Sequence, residues 1–141
     1  KKQTAIMGCY GIGTTRLVGT IVEASHDDRG IIWPINVAPY HVHLVSLHSK
    51  DADTLARIQS VAQDMYDQLW AAGVEVLWDD REGVSPGAKF ADADLIGLPL
   101  RLVISEKTLK EDSVEWKPRN EAEARLVKIE DVAEEIQEMM K

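Results

Sequence analysis

Between His41 and Ser105 the hydrophobic period of the sequence switches repeatedly, and that rhythm restricts the fold more than any other feature of the chain. Val42–Leu47 is a short apolar run rich in β-branched residues, the pattern of a buried strand. Leu55, Ile58, Ala62, Met65 and Leu69 then recur at helical spacing, with Asp51 or Asp53 as cap and Gly73 as stop. Val74–Trp78 returns to a strand pattern. The stretch from Pro86 to Leu98 is entered like a helix through its proline, and Leu100–Ser105 follows Pro99 as a third strand. Strands separated by helices of this length pair in parallel through crossovers. Two later runs, Val114–Lys117 and Arg125–Ile129, bracket the turn formers Pro118, Arg119 and Asn120 and predict an antiparallel hairpin. A closing helix carries Val132, Ile136, Met139 and Met140 on one face. The expected fold class is α/β, a mixed five-stranded sheet flanked by three helices.

Ahead of this block, Ala5–Tyr10 reads as a strand, Gly11-Ile12-Gly13 as a turn, and Thr14 to Ser25 as an amphipathic helix capped by Thr14 or Thr15. His26–Gly30 is a polar break, and Ile31–Pro34 with Ala38-Pro39 forms an extended connection, because each proline disfavours helix at the residue before it. A boundary near Pro34 is expected, with residues 1–33 as a strand–helix remnant of one domain and 34–141 as a second domain. A chain of 141 residues, 45% of them hydrophobic, suffices for one core plus a short appendage.

Composition narrows the function. No apolar run is long enough for a bilayer and no apolar stretch follows the Lys-Lys start, so a cytoplasmic location without membrane contact is expected. Cys9 is the single cysteine, which excludes an internal disulfide or a cysteine-rich zinc cage. His41 and His43 share one side of a strand, but no Cys or carboxylate completes a ligand set, so solvated histidines and no metal are expected. Trp33, Trp78 and Trp116 read as packing residues and Trp70 as part of a helix on the sheet. A net charge of −8 argues against non-specific coating of nucleic acid, which needs a net basic face, and leaves room for local RNA contact.

Two stretches carry chemistry. Gly11 and Gly13 at a strand end let a flat ligand approach the backbone, and Arg16 in the first helical turn can aim its fork at phosphate. On spacing alone, a tight turn with a solvated arginine is the simpler reading, since the third glycine of a dinucleotide fingerprint is missing. The second stretch is the polar loop after Trp78, Asp79-Asp80-Arg81-Glu82, leading to Pro86 and a helix. It leaves a parallel strand at the carboxyl end of the sheet, where open α/β sheets bind ligands. Asp79, Asp80 and Arg81 read first as residues that shape the loop, through an Asp80–Arg81 ion pair. Phe90 fits core packing as well as stacking. Arg101, Lys107, Lys117 and Arg119, on or beside later strands, are candidates for sugar-phosphate contacts or for a solvated face.

The segment Met7–Leu17 closely resembles the third signature motif of class II aminoacyl-tRNA synthetases, one wall of their ATP site. His26-Asp27-Asp28-Arg29-Gly30-Ile31-Ile32-Trp33-Pro34 and Ala38-Pro39-Tyr40 are similar to the bacterial-type prolyl-tRNA synthetases rather than to the threonyl, histidyl or glycyl branches. From about Ala38 onward the chain resembles the anticodon-binding domain that these branches share. The resemblance implies a C-terminal portion of a larger ligase in which Gly11, Gly13 and Arg16 bind ATP and Gly8 and Cys9 lie near the proline pocket. The full-length enzyme would use ATP with Mg and form a homodimer, while the portion seen here would be inactive and bind neither cofactor. The implied partner is proline tRNA, whose anticodon carries two adjacent guanines. Carboxylates accept from guanine N1 and N2, and basic groups donate to O6 and N7. Glu82, Lys89 and Asp92 are thus expected at base edges, Phe90 as a stacking platform, and Arg81, Arg101, Lys107 and Lys117 around them. Two other readings remain: a synthetase-like accessory module that binds another RNA or dimerises, and a free-standing nucleotide-binding protein.

Overall fold

Alternation of side chains across a pleated sheet requires each strand to present two different faces, and here one face is apolar and the other mixes apolar with charged residues. A computed structural model describes residues 2–141. Along the chain run α1 (Thr14–Ala24), a small hairpin of β1 (His26–Asp27) and β2 (Gly30–Ile31), β3 (Val42–Ser46), α2 (Ala52–Ala71), β4 (Val76–Asp79) and α3 (Pro86–Ile96). Then follow β5 (Leu100–Ile104), α4 (Glu106–Lys110), β6 (Ser113–Pro118), β7 (Arg125–Lys128) and α5 (Val132–Met139). The main sheet has the order β4-β3-β5-β6-β7. β3 is parallel to both β4 and β5, and β6 and β7 extend the sheet antiparallel. The mixed five-stranded α/β architecture expected from the sequence is present.

On one face Val42, Leu44, Val76, Leu100, Leu102, Ile104, Val114, Trp116 and Val127 form the apolar core. Ile58, Ala62, Met65 and Leu69 of α2 close over it, together with Leu109 of α4 and Val132 and Ile136 of α5. The opposite face, covered in part by α3, bears His43, Leu77, Asp79, Arg101 and Lys117, as the strand register requires. α2 starts where Asp51 accepts the Thr54 N–H at 2.8 Å, and α3 where Ser85 caps Ala88 behind Pro86 at the first helical position. The short α4 escapes any reading of hydrophobic period. It is made by a local capping box in which the side chains and backbones of Ser105 and Thr108 satisfy each other.

Three expectations change. Ala5–Tyr10 forms no strand, and Ile6, Met7 and Tyr10 are exposed, because a lone extended segment has no neighbouring strand to receive its hydrogen bonds. α1 is capped by the Gly13 backbone alone, without a threonine side chain, and has no buried residue. The polar break at His26–Gly30 is an ordered hairpin, since the Asp27 carboxylate accepts the N–H groups of Arg29 and Gly30 at 2.9 and 3.0 Å.

That hairpin docks on the end of α3. Gly97 adopts φ +74°, and a Cβ there would lie 1.8 Å from the Ile31 carbonyl oxygen. The Trp33 indole donates to the Ile96 carbonyl and the Trp33 N–H to that of Gly97, each at 3.0 Å, so two of the carbonyls that a helix end leaves without partners are satisfied. The buried Arg119 donates Nε–H to the Asp94 carbonyl and grips Asp27 with two further bonds of 2.7 and 2.8 Å. Gly97→Ala is therefore expected to destabilise the chain by clearly more than the ~1 kcal/mol of a left-handed alanine. Gly73→Ala, at φ +79° with nothing within 4 Å, should cost only that ~1 kcal/mol. Comparing urea midpoints of the two variants checks both.

Candidate nucleic-acid interface

Where β3 and β4 end side by side, their last carbonyl groups point at α3, and the helix answers with a buried ammonium. Lys89 is only 2% exposed. Its Nζ donates to the Ser46 and Asp79 carbonyls at 2.9 and 3.1 Å and stands 3.5 Å from the Asp79 carboxylate. Two of its protons are thus donated to strand-end carbonyls, and the Asp79 carboxylate balances its charge. Buried and turned toward these inward acceptors, Lys89 is not placed to reach a base edge, and the expectation that it contacts one is corrected.

The Asp79 carboxylate also receives Nε–H and Nη2–H of Arg81 at 2.9 and 2.8 Å, and the same guanidinium reaches Asp92 at 2.8 Å. The ion pair expected with Asp80 is replaced by this Asp79–Arg81–Asp92 chain, which folds the loop back onto α3. The Arg81 hydrogen bond is the main cause that holds the Asp79 carboxyl down to about 2, and the two carboxylates raise the Arg81 pKa. Beneath the chain lies a cleft of about 300 Å³ between β4 and α3. Leu77, Leu95 and Ile96 line it with apolar surface, the buried His43 contributes to its wall, and Asp79, Asp80, Arg81 and Asp92 stand at its polar side.

Glu82 is exposed at the tip of the loop. Phe90 is half-buried outside the apolar core, and the Arg101 guanidinium lies 4.5 Å above its ring. Arg101 is held there by Asp94 at 3.3 Å and Glu115 at 3.6 Å. The structure thus gathers Arg81, Glu82 and Asp92 around one loop and stacks Phe90 with Arg101. Lys107 is exposed on α4. Lys117 is buried and donates to the Glu121 carbonyl at 3.0 Å, and Arg119 is consumed by the hairpin, so neither presents its charge to a phosphate. His43 also departs from expectation: β3 is an interior strand, and the ring is 3% exposed rather than solvated. Asp94, which joins Arg29, Arg101 and Arg119, carried no sequence signal, because Arg29 and Arg119 lie far away along the chain and Arg101 is on a different element.

A family profile described as an anticodon binding domain matches residues 41–139. The chain belongs to that family. The anticodon binding domain thus comprises β3 through α5, including the cleft and the loop above it. The chain is 46% identical over 138 residues to the "Proline--tRNA ligase" of Elusimicrobium minutum and 45% identical over 136 residues to that of Trichlorobacter lovleyi. It is 50% identical over 129 residues to the same-named protein of Sulfurihydrogenibium sp.. These alignments take in 98%, 96% and 92% of the chain but only 22–23% of each relative, so the chain spans under a quarter of their length.

Ahead of the anticodon binding domain, Gly8, Cys9, Gly11, Gly13 and Arg16 are all exposed, and a Cβ at Gly11 would meet nothing within 4 Å. They form no enclosed cradle, so the residues present do not by themselves fit a nucleotide. Among the described residues no group of three or more His, Cys, Asp or Glu could hold a metal, and no helix is long and apolar enough to cross a membrane.

Lys89→Met should cost about 3 kcal/mol by leaving the strand-end carbonyls and a buried carboxylate short of a partner. The depressed pKa of Asp79 means that its contribution is complete above the ordinary carboxylate range near 4 and fades as pH falls through about 2. Asp27, held below its ordinary value by Arg119, acts in the same direction. Asp79→Asn is thus expected to flatten, but not abolish, the acid limb of stability in urea titrations at successive pH values.

Proposed function

We propose that this domain reads the anticodon of proline tRNA as the C-terminal portion of a proline–tRNA ligase. The single observation that carries the reading is identity of 45–50% to proteins of that name, which extends across nearly the whole chain, including the segment ahead of the family match. The geometry supports it. Asp92 and Glu82 stand at the loop that leaves β4 at its carboxyl end, where they can accept the N1 and N2 protons of guanine. Arg81, already oriented by two carboxylates, faces the same space and can donate to O6 or N7. The Phe90–Arg101 stack offers a flat surface to an unstacked base, and Lys107 offers charge to the backbone.

The acidic balance of the chain does not oppose this assignment. Glu134, Glu135 and Glu138 lie on α5, which packs against the other face of the sheet. Base reading by carboxylates also needs no basic surface. In the whole ligase, we assign Gly11, Gly13 and Arg16 to one wall of an ATP site and Gly8 and Cys9 to the neighbourhood of the proline pocket. Elements beyond this chain would complete both sites, bind Mg and supply the homodimer contacts. The chain alone is then inactive in aminoacylation. Residues 1–33 belong to the catalytic unit on this reading and 34–141 to the anticodon unit.

The test is a titration of the chain with a fluorescent anticodon stem-loop of proline tRNA and with the same loop carrying adenines in place of the two guanines. The guanine loop should bind about tenfold more tightly, and Asp92→Ala and Glu82→Ala should erase most of that difference. Equal binding of both loops by the unmodified chain would overturn the reading in favour of an accessory RNA-binding module.

A further inference from the structure

The stretch from Ser25 to Trp33 is bonded along its length rather than left as a loose joint. Linkers between independently moving units are exposed and make few contacts across the boundary. Here the Ile32 N–H donates to the Ser25 carbonyl at 2.9 Å and the Ser25 hydroxyl donates to the Ile32 carbonyl at 2.7 Å, which ties the end of α1 to the far strand of the hairpin. The hairpin in turn lies so close to α3 that a Cβ on Gly30 would stand 2.4 Å from the Leu95 Cα. Trp33 closes the stretch on the Ile96 and Gly97 carbonyls. α1 has no buried residue of its own, so within this chain its bearing on the sheet is set by the bonded stretch behind it.

A charged clasp holds that stretch in one orientation. Arg119, 6% exposed, is anchored at the end of β6 by its backbone N–H, which donates to the Pro99 carbonyl at 2.9 Å. Its guanidinium spans both sides of the joint: Nε–H goes to the Asp94 carbonyl on α3, while Nη1 and Nη2 grip the two carboxylate oxygens of Asp27 in the hairpin. Arg29 of the hairpin reaches the Asp94 carboxylate at 3.4 Å. A two-pronged pair of this kind fixes angle as well as distance, which a point charge does not. A hairpin of two-residue strands is marginal alone, so its place on α3 depends on these bonds. The helix so clasped is the one that carries Asp92 at the proposed base-reading loop, two residues before Asp94.

We infer that Asp27 and Arg119 are positioning residues of the ligase, locking the helix that carries Arg16 at a fixed bearing to the helix that carries Asp92. The inference rests on the ligase reading and adds to it the pair that joins the two units. A tRNA gripped by its anticodon presents its amino-acid-accepting end far from the grip, so a small rotation at the joint becomes a large displacement at the reacting end. Alignment of reacting groups is worth orders of magnitude in rate, and a clasp that fixes the joint serves that alignment. On this assignment neither residue touches base, ATP or proline, and their effect passes through α1 and α3.

The experiment places Asp27→Asn in the whole ligase. Asparagine keeps the oxygen that accepts the Arg29 and Gly30 N–H groups and replaces the other by an amide that cannot accept from Arg119, so the turn survives and the clasp does not. Three quantities are measured: proline-dependent ATP–pyrophosphate exchange, which needs no tRNA, binding of the guanine stem-loop described above, and steady-state aminoacylation of proline tRNA. Exchange and stem-loop binding should stay unchanged, while kcat for aminoacylation falls about tenfold at an unchanged KM for tRNA. Asp28→Asn, which removes the same charge from an exposed neighbour outside the clasp, should alter none of the three. An unchanged kcat in Asp27→Asn overturns the inference, and so does an equal fall in exchange or in stem-loop binding, which would make the pair a support of one unit alone. In each of those outcomes the ligase reading stands, because the unmodified enzyme still charges proline tRNA; if it does not, that reading falls and the inference with it.

Discussion

One ammonium group, that of Lys89, joins the ends of two parallel strands to the helix that crosses them. Strand ends at the carboxyl edge of an open sheet leave carbonyls without ladder partners, and those of Ser46 and Asp79 are both taken by this group. The side chain of Asp79 balances the charge and in turn orients Arg81, which holds Asp92. A contact buried under α3 therefore sets where the loop runs, how wide the cleft opens and which carboxylate lies at its mouth. Removing the ammonium would disturb all three, which is why a buried charge persists in a place where burial is costly.

The division of the sheet into two faces follows from the same economy of partners. One face is apolar and closed by α2, α4 and α5, with enough packed surface to fix strand order and register. The other sets charges among Val45, Leu77 and Val103, and each charge meets an identifiable group: Arg101 meets Asp94 and Glu115, Arg119 meets Asp27, and Lys117 a backbone carbonyl. Compensation of this kind leaves that face with matched donors and acceptors rather than excess positive charge. Bases are read by matched donors and acceptors, whereas phosphates demand excess positive charge. Two buried nitrogens on that face, His43 Nδ1 and Arg101 Nε, have no hydrogen-bond partner among the described residues.

Much of the fold was legible along the chain. The strand and helix order from Val42 onward, the Asp51 cap, the entry at Pro86 and the late antiparallel pair are all encoded in contiguous residues, where period and capping act over one or two turns. The miss at Ala5–Tyr10 has the same root, because an apolar run specifies that a strand is possible but cannot supply the neighbour that makes it one. The hairpin at His26–Ile31 was hidden because its stability comes from Arg119, 92 positions away, and from the left-handed Gly97 that admits its backbone.

For the site, the sequence by itself determined which residues share the loop after β4, that the loop lies at the carboxyl end of the sheet, and that acid and base alternate there. It could not determine which of those charges face outward. Lys89 and Asp92 are three residues apart on the same helix, and only the crossing of α3 over the sheet turns one toward two strand-end carbonyls and leaves the other at the rim. Arg119 and Lys117 likewise carry their charge inward, because the partners they meet are fixed by tertiary packing. A charged side chain follows the acceptor that the whole fold places within its reach, and no local pattern contains that information.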